Sequence, residues 1–185
     1  MFANIFNLII DTIASLYLLI VLLRFALQLA RADFYNPISQ FVVKATNPLL
    51  VPLRRIIPGF GGIDIASLVL AALFQFAVLC LKFLVLSGGL PNPLSLLLLS
   101  ALMAVGLLLK IYFWSLMVSI IASWVAPGNR HPVLVLMGQI IAPLMRPFQK
   151  LLPPMGGFDL SPILVLMSIQ VAEIIIAHLS SGVIG

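Results

Sequence analysis

Four stretches of this chain are long and apolar enough to cross a lipid bilayer, and that limits the fold more than any other feature. They run from about Ile5 to Leu29, Ile65 to Leu86, Leu94 to Val125 and Leu160 to Leu179. At about 1.5 Å per residue, a helix of roughly 20 residues already crosses the roughly 30 Å hydrocarbon layer. All four are rich in Leu, Ile, Val and Phe without strand-like alternation. Backbone polar groups in lipid find no water, so a spanning segment must be a helix or part of a closed barrel. A barrel needs short alternating strands, and these are absent. Only 8% of the 185 residues are charged, against about 25% in soluble domains, which excludes a water-soluble fold. The sequence predicts an all-α membrane protein with four transmembrane helices. No basic residue precedes the first apolar run and Asp11 lies inside it, so that run reads as a retained helix and not a cleaved signal.

The chain also repeats itself. At an offset of 95 residues (132 − 37), Pro37, Pro48, Pro52 and Pro58 fall on Pro132, Pro143, Pro147 and Pro153. Gly61-Gly62 falls on Gly156-Gly157 and Asp64 on Asp159 at the same shift. Leucines match by chance in apolar sequence; four prolines, two glycines and an aspartate in one register do not, so the chain is a tandem duplication. Residues 1–86 form the first helix–loop–helix repeat, 87–93 a linker and 94–185 the second repeat. Each repeat holds two spans, so both enter the membrane from the same side. The repeats are parallel, related by a pseudo-two-fold axis along the membrane normal.

Charge sets the expected orientation. The loops within the repeats carry Arg31, Lys44, Arg54 and Arg55 in the first copy and Arg130, Arg146 and Lys150 in the second, while the linker from Ser87 to Pro93 carries none. The positive-inside rule puts both loops in the cytoplasm, with the termini and linker outside. The net charge of +5 is explained by orientation, and no nucleic-acid partner is expected.

Within the first loop, Asn36-Pro37 reads as a capped helix start. Ile38, Phe41, Val42 and Ala45 then fall on one face, giving an amphipathic helix of about ten residues at the membrane interface. His131-Pro132 opens the matching segment, where Val133, Leu136, Met137, Ile140 and Ile141 make a more apolar surface that dips deeper or packs on the bundle. Prolines four apart are expected to prevent a regular helix through Pro48–Pro52 and Pro143–Pro147. The basic residues there, Arg54, Arg55, Arg146 and Lys150, are candidate contacts for anionic lipid headgroups or for a protein partner. Asp64 and Asp159 precede the second span of each repeat and are candidate helix caps. The alternative role for either is to pair with Arg24, Arg54, Arg55 or Lys150 and lock loop to bundle.

The combination of Asn36-Pro37, Pro48-x-x-x-Pro52, Arg54-Arg55 and Gly61-Gly62-x-Asp64, echoed one repeat later, resembles the YggT family of integral membrane proteins in its two-copy proteobacterial form. The resemblance covers nearly the whole chain. The first copy has Gln28-Leu29 where the second has Ser123-Trp124, and the second has Gln149-Lys150 in place of Arg54-Arg55. The first copy is therefore the better candidate for a contact made through the basic pair. The resemblance implies a bacterial inner-membrane location and associations with osmotic-stress tolerance, with cell-division gene neighbourhoods and, in chloroplast relatives, with haem attachment to a cytochrome. It brings no catalytic residues.

No constellation of residues suggests an enzyme. His131 and His178 fall on opposite membrane sides in this topology, the single Cys80 lies within a span, and no phosphate-binding Gly loop or Cys-x-x-Cys is present. No cofactor or metal is expected. The expected function is a scaffold or assembly factor; the alternative is a small channel or transporter working as a homo-oligomer. Charges inside spans are costly and usually have partners. Lys110 and Glu173 lie at one depth, roughly 21 Å from the inner boundary, and Asp11 and Lys82 at another, roughly 27 Å. Lys110 and Glu173 are expected to pair or to share a water-filled cavity; Asp11 and Lys82 either pair or reach separately for the outer surface.

Overall fold

The computed structural model describes residues 2–151 and 159–184. They form six helices, α1 (Phe2–Leu29), α2 (Pro37–Ile56), α3 (Ile65–Ser87), α4 (Pro93–Val125), α5 (Pro132–Leu151) and α6 (Ser161–Ile184). The four long enough and apolar enough to cross a membrane are α1, α3, α4 and α6. The fold is all-helical with four candidate spans in two repeats. Helices α2 and α5 pack on the spans near the loop end of the bundle, called here the platform end; the opposite end carries the linker.

Lipid is as apolar as leucine, so close packing and polar links, not the hydrophobic effect, hold spans together. The packing is continuous along the bundle. Near the platform end, Ala26 and Leu27 of α1 meet Val42 of α2, Tyr112 and Leu116 of α4, Leu136 and Ile140 of α5 and Val165 of α6. In the middle, Leu18, Val21 and Leu22 of α1 meet Ala71 of α3 and Ala104 and Ile111 of α4. Leu79, Leu96 and Leu99 close the linker end.

The two repeats are built alike, but their mutual packing is not closed. Helix α3 packs on α4, whereas α6 and α1, which stand in the equivalent relation, do not pack together among the described residues. The short linker ties α3 to α4, and no such tie joins α6 to α1. A gap between α1 and α6 results.

The loop helices correct one expectation. Both α2 and α5 run as single 20-residue helices through their internal prolines. Each proline removes one ladder bond, freeing the carbonyl four residues back on the same face. All four prolines lie on the exposed face, where the freed carbonyls can be solvated. The face of α2 that meets the bundle keeps Val42 of the expected apolar stripe and adds Ser39, Thr46 and Leu50, while Phe41 is 60% exposed. Of the apolar stripe read from the sequence, Val42 is in the core and Ile38 packs against it, so the stripe and the bundle-facing side overlap and only Phe41 turns fully outward. On α5, Leu136, Ile140 and Ile141 pack on the bundle.

After α2, the chain reverses through Phe60 and Ile63, whose backbones exchange hydrogen bonds of 3.2 and 3.0 Å. Gly61 and Gly62 have φ of +61° and +84°, as a tight two-residue turn with two left-handed positions requires. The matching Gly156-Gly157 and Pro153 lie outside the described residues.

Candidate functional site

Two clusters of polar side chains interrupt the apolar bundle. The first is a cavity of about 670 Å³ among all four spans, beside the gap between α1 and α6. Asp11 and Lys82 meet across it, the ammonium lying 2.8 and 2.9 Å from the two carboxylate oxygens. Of the two arrangements expected for Lys110 and Glu173, the structure has the shared cavity: both line it, and they form no ion pair with each other. Equal depth fixes height along the bundle but not the direction in which a side chain points.

The repeat register explains the layout. Its offset of 95 relates Asp11 to Gly106, Ser15 to Lys110, Val78 to Glu173 and Lys82 to Ala177, and all eight residues line the cavity. The cavity therefore lies on the axis relating the repeats. Each charge faces an uncharged counterpart, and the second pair sits one helical turn nearer the platform than the first, four residues at about 1.5 Å each. Below the cavity the apolar packing resumes: on α1 the lining ends at Leu18, and Val21 and Leu22 are fully buried.

The second cluster joins loop to bundle in the first repeat. Arg54 donates to both carboxylate oxygens of Asp64, and Ser67 Oγ donates to the same group. Arg54 also reaches Gln28 Oε1 at 2.8 Å. Burial pushes the Asp64 carboxyl up, but the bonds from Arg54 and Ser67 outweigh it and hold the group below the ordinary carboxylate value. The Asp64 side chain makes no capping bond to the helix it precedes; it locks α2 to α3. In the second repeat Gln149 Nε2 donates to Asp159 at 3.1 Å, and Asp159 also accepts from the Ser161 backbone N–H at 2.8 Å, the bond of a cap. The bonds from Ser161 and Gln149 hold Asp159 low as well. The ion pair of one copy is thus a neutral bond in the other. Arg55, Arg146 and Lys150 are exposed on the platform helices, and among the described residues none makes an ion pair.

Sequence reasoning gave Arg24 only a minor role. It is 8% exposed, and its Nη1 donates to Val43 O, Thr46 Oγ1 and Asn47 Oδ1 at 3.1, 2.6 and 2.8 Å. The signal was present: in the second repeat the corresponding residues are Ser119, Gly138, Ile141 and Ala142, so the cation and its side-chain acceptors are lost together.

The sequence pattern of the family described as CCB3/YggT matches residues 3–85 and again 98–180, reproducing the 95-residue offset (98 − 3). The chain belongs to the CCB3/YggT family. It is 53% identical to an uncharacterized protein of Pseudomonas aeruginosa, over 92% of this chain and 87% of that one. It is also 42% identical to the uncharacterized protein YggT of Escherichia coli, over 95% and 90% of the two chains. A Vibrio alginolyticus relative is 38% identical over 95% of each. No solved structure matches. A CCB3/YggT chain of this form thus carries two distinct polar sites separated by apolar packing.

Proposed function

We propose that this protein is a non-enzymatic scaffold or assembly factor of the bacterial inner membrane, serving osmotic-stress tolerance or the biogenesis of a membrane complex. The supporting observation is the joined platform formed by α2 and α5. Asn36 Nδ2 donates to Pro132 O at 2.9 Å and the Asp33 backbone N–H to Gln139 Oε1 at 3.0 Å, tying one repeat's loop to the other's. The platform is locked to the spans through Arg24 and the Arg54–Asp64 pair, and it presents Lys44, Arg55, Arg146 and Lys150 outward. A rigid basic face suits the recruitment of an acidic partner beside anionic headgroups. In this reading the platform is cytoplasmic.

A channel or transporter, working as an oligomer, is the second reading, favoured by the unbridged Lys110 and Glu173 on a shared cavity. The buried layer at Val21, Leu22 and Ala71 weighs against conduction through one copy. A photo-cross-linking residue at position 55 or 146 in native membranes is expected to capture a discrete partner protein, while liposomes holding only the purified protein show no specific ion flux. Specific flux together with absence of any cross-linked partner would replace the scaffold by the channel.

A further inference from the structure

A smaller cavity, of about 330 Å³, opens at the platform end of the first repeat beside Arg24, Arg31, Ser39 and Arg54. Three arginines border it, and the Asp64 carboxylate is already bonded to Arg54 and Ser67. Arg24 spends only Nη1 on the protein; among the described residues its Nε and Nη2 have no partner. The carboxylate whose charge reaches Arg24, Asp64, is shared with Arg54, so the buried cation is only partly compensated. Ser39 is 4% exposed, and its Oγ is a buried hydroxyl with no hydrogen-bond partner.

Arg31 adds an independent observation. It ends α1 with φ of +50°, where the Ala32 N–H reaches back to Leu27 O at 2.9 Å and its own N–H to Gln28 O at 3.1 Å. Glycine is the usual residue at such a helix end, because a β-carbon is crowded there. An arginine in a backbone conformation that favours glycine thus stands among the residues lining the cavity.

We propose that this cavity binds a phosphate group, carried either by a phospholipid headgroup or by a free phosphate. Guanidinium donors suit phosphate oxygens in charge and in fork geometry, and the free Ser39 hydroxyl supplies a neutral donor. The level is suitable too: Arg24 lies five residues before the end of α1, about 8 Å inside it, within reach of a headgroup. The second repeat cannot form the site, since Ser119, Ala126, Leu134 and Gln149 stand in place of Arg24, Arg31, Ser39 and Arg54.

The test uses the purified full-length protein in detergent. Native mass spectrometry follows retention of added phosphatidylglycerol, and thermal shift follows titration with inorganic phosphate. The informative variant is Arg31→Gly, because glycine relieves the backbone strain: its melting temperature is expected to be equal or higher while phosphate-group binding falls about tenfold, the loss of one charge-assisted bond. Ser39→Ala is expected to weaken binding less, and Gln149→Ala not at all. Retention of lipid without a shift by inorganic phosphate identifies the headgroup as the source, and a saturable shift by inorganic phosphate identifies the free ion. Equal binding by the wild type and Arg31→Gly in both measurements, or no binding by the wild type in either, overturns the proposal.

Discussion

At the residue scale, buried charge is tolerated here only where its bonds are specific. Asp64 is 2% exposed and accepts from Arg54 and Ser67. Removing its charge leaves Arg54 facing the bundle without an anion, so Asp64→Asn is expected to cost about 3 kcal/mol, the low end for breaking a buried pair, because Arg54 is partly exposed. A detergent-unfolding titration measures it; a loss below about 1 kcal/mol would mean that the lock contributes little. The same carboxyl gives a pH signature. Its folded pKa lies below the unfolded one, so its contribution is complete above about pH 4 and declines as the pH falls toward and through the lowered folded value. The wild type should show that acid-dependent loss and Asp64→Asn should lack it. The intramembrane charges separate in another way. Asp11→Asn with Lys82→Met should be coupled by about 0.5 kcal/mol or more, whereas Lys110→Met with Glu173→Gln should be additive, since the first pair is in contact and the second is not. Coupling in the second pair would show a bridge that the structure does not contain.

At the element scale, the two repeats run the same design with different chemistry at matching positions. Asn36 caps α2 through its Oδ1, with the Ile38 N–H at 2.9 Å, and also bonds Pro132 O through its Nδ2. Its counterpart His131 caps α5 only through a 3.4 Å contact from the Val133 N–H. Asn36→Ala is therefore expected to cost about 2 kcal/mol, roughly one for the cap and one for the inter-repeat bond. His131→Ala is expected to cost under about 1 kcal/mol on the same scale. Equal losses, by thermal unfolding, would show that the inter-repeat bond carries no weight. The spans, the repeat register and the start of α2 at Asn36-Pro37 were all legible in the sequence, because hydrophobic length, proline spacing and capping chemistry are local signals. The course of α2 through Pro48 and Pro52 was not, since a helix survives internal prolines only when tertiary packing holds it and its freed carbonyls lie outward. Nor was the place of Ser39 and Thr46 on the face that α2 turns to the bundle, because an amphipathic pattern records apolar contrast and not the hydrogen bond through which Thr46 meets Arg24.

At the scale of the whole molecule, two polar sites lie along α1, one at its middle and one at its platform end, with a tightly packed layer between them. The larger, central cavity reaches as far as Leu18, the platform-end cavity begins at Arg24, and Val21, Leu22 and Ala71 between them are fully buried. From Leu18 to Arg24 is six residues, about 9 Å of helix, and the buried polar side chain at this level of α4, Ser115, is 1% exposed and so leaves the packing between the two cavities closed. The register predicted charges at two depths from spacing alone. It did not reveal that they surround one cavity on the repeat axis, because that depends on the gap left where α6 fails to close on α1. The separation can be measured with single cysteines in a Cys80→Ser background and a membrane-impermeant maleimide. Ser15→Cys lines the outer cavity and Phe34→Cys the inner one; Ala71→Cys sits in the seal. With the basic loops cytoplasmic, Ser15→Cys is expected to be labelled in intact cells with the outer membrane permeabilised, Phe34→Cys only in inverted inner-membrane vesicles, and Ala71→Cys in neither. Labelling of Ser15→Cys and Phe34→Cys from one and the same side would mean that the layer at Val21 and Leu22 is open to water, and labelling with the two sides exchanged would reverse the orientation while leaving the seal intact.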